Sequence, residues 1–559
     1  MTPGLREFVL DGGGGADAGT DGASAAGLAP RVRDALAQAF TLAADRGAAG
    51  TRRRTWLDTA DWRLSRAGLV LQHERARGPG RLLLAGDDGA VLAEQPLTGR
   101  QPRWPRLAGD LPDGPVKDRV LPLASPRALL PVATAVSRVT VTRLLNADGK
   151  TVARLIADAA AVTRDAVTPG AVTRGAVTPG AVTAGAVTAL PTRLAIAEVR
   201  GYPGQARRAA RLLHGVPGVS PAAQTMLQQA LRALARHPGG GGADARITAG
   251  MPAAAAAAAV LLRLLRECEQ NLDGVLRDID TEFLHDFRVA VRRTRSAIKL
   301  LGGELPGCLA GRYAAEFKWL GDLTTPARDL DVHLLGFDET ARHLVAATPR
   351  DLEPFRAFLL RRRARERRRL TAALRSARFA AIRRDWRAAL LEIRDEPAPA
   401  GRGGRTAAEL AVTTTARAYR TVARRGGAIT AESPPQALHD LRKRCKELRY
   451  LLEFFAPLHD PAAYRTVVGD LKKLQDVLGG FQDCQVQREE IRALADAMLA
   501  ERAAPAATLL AMGEVAARLA AGQVQARAAF GARFAAFAGP EGRRHMSVLL
   551  GAPHAGAPG

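Results

Sequence analysis

Two segments of this 559-residue chain carry basic side chains at a spacing suited to binding anions. In each segment a histidine, arginines and lysines recur every three or four positions. At about 100° per residue, these positions fall on one helix face, within an arc of about 80°. Each segment is therefore predicted to be an amphipathic helix with a basic stripe opposite an apolar face. The first stripe is His285, Arg288, Arg292, Arg295 and Lys299, and the second is His439, Arg442, Lys446 and Arg449.

The two segments are copies of one another, because they align without a gap at an offset of 154 positions. The register continues downstream, where Lys318 aligns with Lys472. A solvated helix face needs charge but no fixed order, yet four stripe positions stay basic or protonatable in both copies. The neighbouring pair Arg293 and Glu447 differs even in sign. The duplication therefore favours a functional stripe. For the two histidines, packing or capping and direct phosphate contact remain equally open.

The ends of the two helices also have sequence signals. Gly302-Gly303 is expected to end the first helix. Ahead of the second, Ser433-Pro434-Pro435-Gln436 predicts a capping box, in which Ser433 caps the helix and Gln436 completes the box.

The chain predicts an α+β protein with two domains. Short alternating segments between about residues 50 and 200 are typical of strands, and the chain beyond residue 250 has helical periodicity almost throughout. A five-residue repeat at 161–190 has nothing bulky to pack and is predicted to be a disordered, low-complexity insertion. We expect a β domain at 1–236, a Gly-rich linker at 237–249, a helical domain at 250–545 and a disordered tail at 546–559.

The overall charge favours an anionic partner. The formal net charge is +25, which leaves nucleic acid, polyphosphate and an acidic membrane open. Residues 356–387 add 13 arginines against two acidic residues, predicted to be a solvated helix whose remaining surface could widen a binding groove. The four cysteines form no C-x-x-C pair, the start of the chain does not resemble a secretion signal, and the longest apolar run is too short for a membrane span. These features predict a cytoplasmic protein.

Residues 250–540 resemble the CHAD domain, an α-helical module named for its conserved histidines. The resemblance rests on both His-Asp-x-Arg helices and on the stretch ARDLDV that begins at Ala327. It implies two four-helix bundles related by pseudo-twofold symmetry, whose basic stripes face a shared groove that holds inorganic polyphosphate. The implied binding residues are His285, Arg288, Arg292, Arg295, Lys299, Lys318, Arg328, His439, Arg442, Lys446, Arg449 and Lys472.

Residues 1–236 resemble, through the segment TWLDTADWRLSRAGL from Thr55, the CYTH family of triphosphate tunnel enzymes. This implies an antiparallel β-tunnel, with carboxylates for a divalent metal and basic residues for a triphosphate. The chain departs from that pattern at decisive places. At the usual start of the motif it offers only Glu7, and Leu71-Gln72-His73-Glu74 stands where the family has arginines. The domain is therefore interpreted as a degenerate tunnel without catalytic activity.

Together these observations predict a protein that binds inorganic polyphosphate through its CHAD-like domain, without catalysis, cofactor or metal. Such a protein would be cytoplasmic and able to associate with polyphosphate granules. Two alternatives stay open: a metal-dependent triphosphatase in the CYTH-like domain, and a nucleic-acid-binding or nucleoid-associated protein.

Overall fold

The computed structural model describes residues 5–10, 28–76, 78–99, 102–163, 187–238, 247–395 and 404–551. It separates into two compact units, Met1–Gly242 and Ala243–Gly559. The first unit contains the strands and the second is helical, so the α+β class predicted from the sequence is confirmed.

The first unit is built on an antiparallel sheet of twelve strands. Its main hydrogen-bonded order is β12-β1-β11-β9-β8-β3-β4-β5-β6, with β10 paired to β9 and both β2 and β7 paired to β8. Within the described residues this order has two ends, β12 and β6, and closure into a tunnel remains a prediction. The strands are β1 (Leu5–Leu10), β2 (Thr41–Ala44), β3 (Gly50–Asp58), β4 (Leu69–Arg75), β5 (Arg81–Gly86), β6 (Val91–Pro96), β7 (Arg106–Leu107), β8 (Ala128–Leu145), β9 (Thr151–Thr163), β10 (Val187–Ala189), β11 (Thr192–Glu198) and β12 (Val219–Pro221).

Five helices cover this sheet: α1 (Pro30–Ala37), α2 (Arg63–Arg66), α3 (Pro115–Ala124), α4 (Pro203–His214) and α5 (Met226–Ala233). Helices α1 and α4 pack on the apolar side of β9 and β11, and α2 and α3 pack on β4 and β5. Helix α5 lies on another face, where Ala230 and Leu231 contact a core that includes Trp56. Both ends of the predicted insertion are strands that pair with each other, β9 with β10, and residues 164–186 lie outside the described part.

The described residues of the second unit form eleven named helices. They are α6 (Ala253–Arg277), α7 (Thr281–Leu301), α8 (Gly307–Leu335), α9 (Phe337–Arg342), α10 (Glu353–Leu374), α11 (Ala377–Asp395), α12 (Ala407–Gly427), α13 (Pro435–Phe454), α14 (Pro461–Ala500), α15 (Ala506–Ala538) and α16 (Pro540–Leu549).

The duplication seen in the sequence is reproduced in the helix boundaries. Helices α6, α7 and α8 begin 154 residues before α12, α13 and α14, and the 3₁₀ turns Gly302–Glu304 and Ala456–Leu458 keep the same offset. Helix α10 corresponds in the same register to the first two thirds of α15. The repeat therefore extends further in both directions than the aligned basic segments.

Each repeat has its own core. In the first, α7, α8 and α11 contribute a buried aromatic group in which the rings of Tyr313 and Trp386 lie 4.2 Å apart. In the second, α12 to α16 bury a Leu- and Phe-rich cluster. A further cluster joins the ends of α8 and α14 to α9, α10 and α15. These apolar contacts hold the helices in place, so the basic faces need not contribute to the core.

Two local expectations differ from the structure. The proposed capping box of α13 does not form: Pro434 is the N-cap and makes no side-chain cap, because the hydroxyl of Ser433 instead accepts a hydrogen bond from the backbone of Thr430 at 2.9 Å. Residues 546–549, expected in a disordered tail, form the last turn of α16, because Met546 and Leu549 are buried against the second core. Gly302 follows the last residue of α7, as expected.

Candidate anion-binding site

The two basic stripes lie on helices that pack against each other, α7 and α13. Arg292 Nε donates a hydrogen bond of 3.0 Å to the hydroxyl of Tyr450, and Lys299 Nζ lies 2.6 Å from a carboxylate oxygen of Glu447. Arg293 also crosses this boundary, with a 3.0 Å ion pair to Glu453 and its guanidinium over the ring of Tyr450. The first stripe and the second stripe are therefore neighbours in space.

Electrostatic influence between the stripes is clearest at Lys446. Burial and the nearby charges of Arg292, Arg442 and Arg288 together lower the pKa of its ammonium group to about 8, while Asp483 opposes them. Arg288 and Arg292 belong to the first repeat, and Lys446 and Arg442 to the second. Like charges from both helices thus lie close enough together to disfavour one another.

We call the central group the cationic cluster. Its members are Arg288 and Lys446 together with the basic residues whose charges lower the pKa of either one, and they come from α7, α8 and α13. The cationic cluster consists of Arg288, Arg292, Arg295, Arg328, Arg442 and Lys446.

Besides Arg292, two members of the cationic cluster are held in position by hydrogen bonds to neutral groups. Arg288 donates to the hydroxyl of Thr325 and, at 3.3 Å, to the carbonyl of Gly321, both on α8. Arg328 donates to the carbonyl of Thr281 at 3.1 Å, at the first residue of α7. Because these bonds use only part of each guanidinium, the remaining N–H groups can still donate to an anion.

Carboxylates neutralise the cationic cluster only in part. Arg442 lies 2.9 Å from Asp483, and Arg328 lies 3.4 Å from Glu282. Within the part of the chain that the structure describes, Arg292, Arg295 and Lys446 have no carboxylate within 4.0 Å. Burial raises the pKa of Asp329, the repeat partner of Asp483, to about 6, against the opposing charge of Arg288. The cationic cluster therefore retains excess positive charge.

The two histidines lie beside the cationic cluster, and their surroundings differ. Burial lowers the pKa of His285, and the adjacent charge of Arg328 lowers it further, against Glu282 and Asp286. His439 is half-buried, and its Nδ1 lies 2.6 Å from the side-chain oxygen of Gln482 on α14. Gln482 thus fixes the ring of His439.

The remaining predicted residues lie at the margins. Lys299 is exposed and pairs with Glu447, and Arg449 pairs with Glu453 at 2.7 Å. Lys318 pairs with Asp322 on its own helix at 2.6 Å, where both side chains are more than half exposed. Lys472 is exposed on α14. The structure thus groups six of the twelve predicted residues in the cationic cluster and leaves four cations around it, with the two histidines at its edge.

Sequence reasoning did not find the neutral groups that position these cations. Tyr450 directly follows a stripe residue and is buried, yet its hydroxyl accepts from Arg292. Thr325 and Gly321 stand on α8, where no charge pattern marks them. Asp483 could have been found, since it aligns with Asp329 at the same offset of 154 positions and each faces the matched arginine of its repeat.

In the first unit, the acidic and basic side chains on the sheet bond to one another. Arg54 contacts Glu74 at 3.3 Å and Asp158 at 2.7 Å, and Arg81 contacts Glu74 at 2.6 Å. Although burial favours the neutral acid, hydrogen bonding from Arg81 and the charge of Arg54 hold the pKa of Glu74 below its usual value.

Glu7, the only acidic residue that this chain has at the start of the tunnel-enzyme motif, also forms an ion pair, with its carboxylate 2.5 Å from Arg193. Helix α5 lies over this network, with Met226 Sδ 3.7 Å from Arg54. Among the described residues, no group of three or more His, Cys, Asp or Glu side chains is placed to hold a metal.

Comparison with protein families agrees with the helical repeat. Residues 259–492 match the family model of the CHAD domain. The matched range runs from α6 into α14 and so includes every member of the cationic cluster and both histidines.

Three solved structures are similar to parts of the chain. The CHAD domain from the plant Ricinus communis is 26% identical over 52% of this chain and 95% of its own, with a TM-score of 0.45. PptA from Streptomyces chartreusis is 16% identical over 51% of this chain and 99% of its own, with a TM-score of 0.40. HpAC1 from Hippeastrum, for which a dominant triphosphatase activity is described, is 12% identical over 42% and 96%, with a TM-score of 0.24. No curated protein matches the chain.

Proposed function

We propose that the CHAD domain of this protein binds inorganic polyphosphate at the cationic cluster, without performing chemistry on it. The observation that carries the proposal is the meeting of the two stripes, in which Lys446 of one repeat lies under the electrostatic influence of Arg288 and Arg292 of the other. A cluster assembled from two copies of one helix suits a ligand that repeats the same charged group along its length.

In the free protein the cations of the cluster repel one another, and a bound anion would reduce this repulsion. Burial and neighbouring cations depress the pKa values of both Lys446 and Arg288, so the charged forms are disfavoured in the absence of a ligand. A chain of phosphate oxygens would supply the missing acceptors, and hydrogen bonds between ionised partners are about twice as strong as neutral ones. We therefore expect the cluster to bind polyanions, because binding offsets both the burial of these cations and their mutual repulsion.

The side chains favour a ligand without bases. Proteins that bind single-stranded nucleic acid combine cations with aromatic platforms on which bases stack. Tyr450, the aromatic residue to which Arg292 donates a hydrogen bond, is only 7% exposed, and its hydroxyl is already engaged. The cationic cluster therefore offers donors for phosphate and no stacking surface of its own.

Charge reversal tests the proposal in the full chain. The variant carrying Arg288→Glu, Arg292→Glu, Arg442→Glu and Lys446→Glu should lose retention of long-chain polyphosphate in a gel-shift assay, while circular dichroism shows unchanged helix content. A matched control reverses four exposed arginines elsewhere in the helical unit and should retain the polymer. The control positions are Arg384, Arg492, Arg518 and Arg533.

Two results would contradict the proposal. Equal loss in the control variant would show that binding follows net charge and not this site. Displacement of long-chain polyphosphate by duplex DNA at equal charge concentration would favour the nucleic-acid alternative instead. The triphosphatase alternative has its own test, because divalent-metal-dependent release of phosphate from triphosphate by the full chain would support it.

The cellular setting remains part of the proposal. None of the helices in the described residues has the length and apolar character needed to cross a membrane. We propose that the protein acts in the cytoplasm, where it can associate with polyphosphate granules through the cationic cluster.

A further inference from the structure

An open groove lies between the C-terminal end of α6 and the second half of α10, outside the cationic cluster. Four arginines line it, with the single carboxylate of Asp278 at one side. We call it the arginine groove and define it by Arg277, Arg367, Arg368 and Arg375, together with Thr371.

Acidic neighbours balance the charge of the arginine groove only in part, since Arg277 lies 3.2 Å from Asp273 on its own helix. Asp278 receives two hydrogen bonds from Arg363, at 2.8 and 2.9 Å, and lies 3.4 Å from Arg367. That carboxylate is therefore already neutralised by cations. Arg368 and Arg375 are exposed, and neither has a carboxylate within 4.0 Å among the described residues.

A buried guanidinium in the arginine groove has an unused donor. Arg367 is only 7% exposed and donates to the carbonyl of Val275, but its Nε has no hydrogen-bond partner in the described part of the chain. Burial lowers the pKa of Arg367, with Asp278 opposing and Arg363 adding to the effect. A negative charge in the adjacent groove would stabilise this buried cation by electrostatic attraction.

The exposed arginines of α10 do not recur at the corresponding positions of the second repeat. Helix α10 corresponds to the first two thirds of α15 at the 154-residue offset, yet four exposed arginines on α10 and directly after it have no basic counterpart. Arg361, Arg365, Arg368 and Arg375 align with Val515, Leu519, Gly522 and Ala529. The arginine groove is therefore a property of the first repeat alone, whereas the cationic cluster draws on both.

The turn between α6 and α7 connects the arginine groove to the cationic cluster. Arg363, next to the groove, contacts Asp278 on one side of the turn, and Arg328 of the cluster contacts the carbonyl of Thr281 on the other. The two acceptor residues, Asp278 and Thr281, are three positions apart, so at most about 11 Å of extended chain lies between them. A flexible polyanion that occupies the cluster can therefore continue around this turn.

We propose that the arginine groove is a second phosphate-binding site, which takes phosphate groups of a polyphosphate chain that extends beyond the cationic cluster. The proposal rests on the function proposed above and adds a second point of attachment. Two attachments on one polymer raise the overall affinity because the second binding step becomes intramolecular.

Calorimetric titration of the full chain with tripolyphosphate and with long-chain polyphosphate tests the second site. The wild-type protein should bind two tripolyphosphate ions, one at each site. The variant Arg368→Glu with Arg375→Glu should bind one, and its affinity for the long chain should fall at least about tenfold. The pair Arg518→Glu and Arg533→Glu on α15 makes the same charge change and should leave both measurements at wild-type values.

The glutamine pair, Arg368→Gln with Arg375→Gln, repeats the test without placing acids near the end of α10. A stoichiometry of two tripolyphosphate ions in both groove variants would overturn the second site while leaving the first intact. An equal loss in the Arg518 and Arg533 control would overturn it as well, since the effect would then follow net charge. Failure of the wild-type protein to bind either polymer would instead refute the function on which this proposal rests.

Discussion

The depressed pKa of Lys446 predicts that polyphosphate affinity falls as the pH rises from 7 to 9. Its ammonium group has a pKa of about 8 in the free protein. With that value about 90% of the molecules carry the charge at pH 7 and about 10% at pH 9. If the polymer binds the charged form, the apparent Kd should rise roughly tenfold between these two pH values.

The surroundings of Lys446 make the prediction specific. The charged groups that face it are Arg288 and Arg292 on α7, Arg442 on its own helix and Asp483 on α14. Arginine and aspartate side chains ordinarily titrate far outside the range from pH 7 to 9. Lys446 is therefore expected to account for most of the pH dependence in this window.

Fluorescence anisotropy with end-labelled long-chain polyphosphate at constant ionic strength would measure this effect. Lys446→Arg should abolish the tenfold change, because an arginine stays protonated throughout the range. Lys472→Arg, at an exposed position, is the matched control and should keep the wild-type pH dependence. The reasoning is refuted if the wild-type affinity is constant between pH 7 and 9, or if Lys446→Arg retains the same slope.

Three further outcomes are expected. Because the pKa of Lys446 is lower in the folded than in the unfolded protein, the unfolded state binds more protons between about pH 8 and 10.5, and the free energy of unfolding should rise with pH in that range. Lys446→Met should remove that rise and, in urea denaturation at pH 7, increase the free energy of unfolding by roughly 1–3 kcal/mol. Arg292→Gln should lower the slope of log Kd against log salt concentration by about one, and an unchanged slope would remove Arg292 from the contact. Trp386→Ala should lower the free energy of unfolding by about 3–5 kcal/mol, since the fully buried ring packs on Tyr313, and a loss below about 1 kcal/mol would contradict the described core.

The fold was predictable from the sequence where periodicity and repetition agree. The 154-residue offset, seen first at His285 and His439, marks the starts of three pairs of helices to the residue. The tail was not predictable, because the burial of Met546 and Leu549 depends on a core formed by residues far away in the chain. The capping box at Ser433 failed because a nearby turn competes for the same hydroxyl.

The sequence was enough to predict which basic residues form the candidate site, but not how those residues are arranged or paired. Helical spacing selected the basic residues, but spacing alone cannot distinguish Arg292, which has no carboxylate partner among the described residues, from Lys299, which pairs with Glu447 on the other helix. Similarly, nothing in the local sequence indicates that Tyr450 holds Arg292. Such distinctions arise only when the packing of α7 against α13 brings the two stripes together.

The central claim is that both repeats contribute to one binding site, and the stoichiometry of half-site variants tests it most directly. One variant neutralises the first repeat with Arg288→Gln and Arg292→Gln, and the other neutralises the second with Arg442→Gln and Lys446→Gln. The arginine groove is removed in both by Arg368→Gln and Arg375→Gln. With a single shared site, calorimetry should show that either variant loses tripolyphosphate binding almost completely. A full-affinity site that survives in both variants would mean that each stripe binds alone, and would contradict the account.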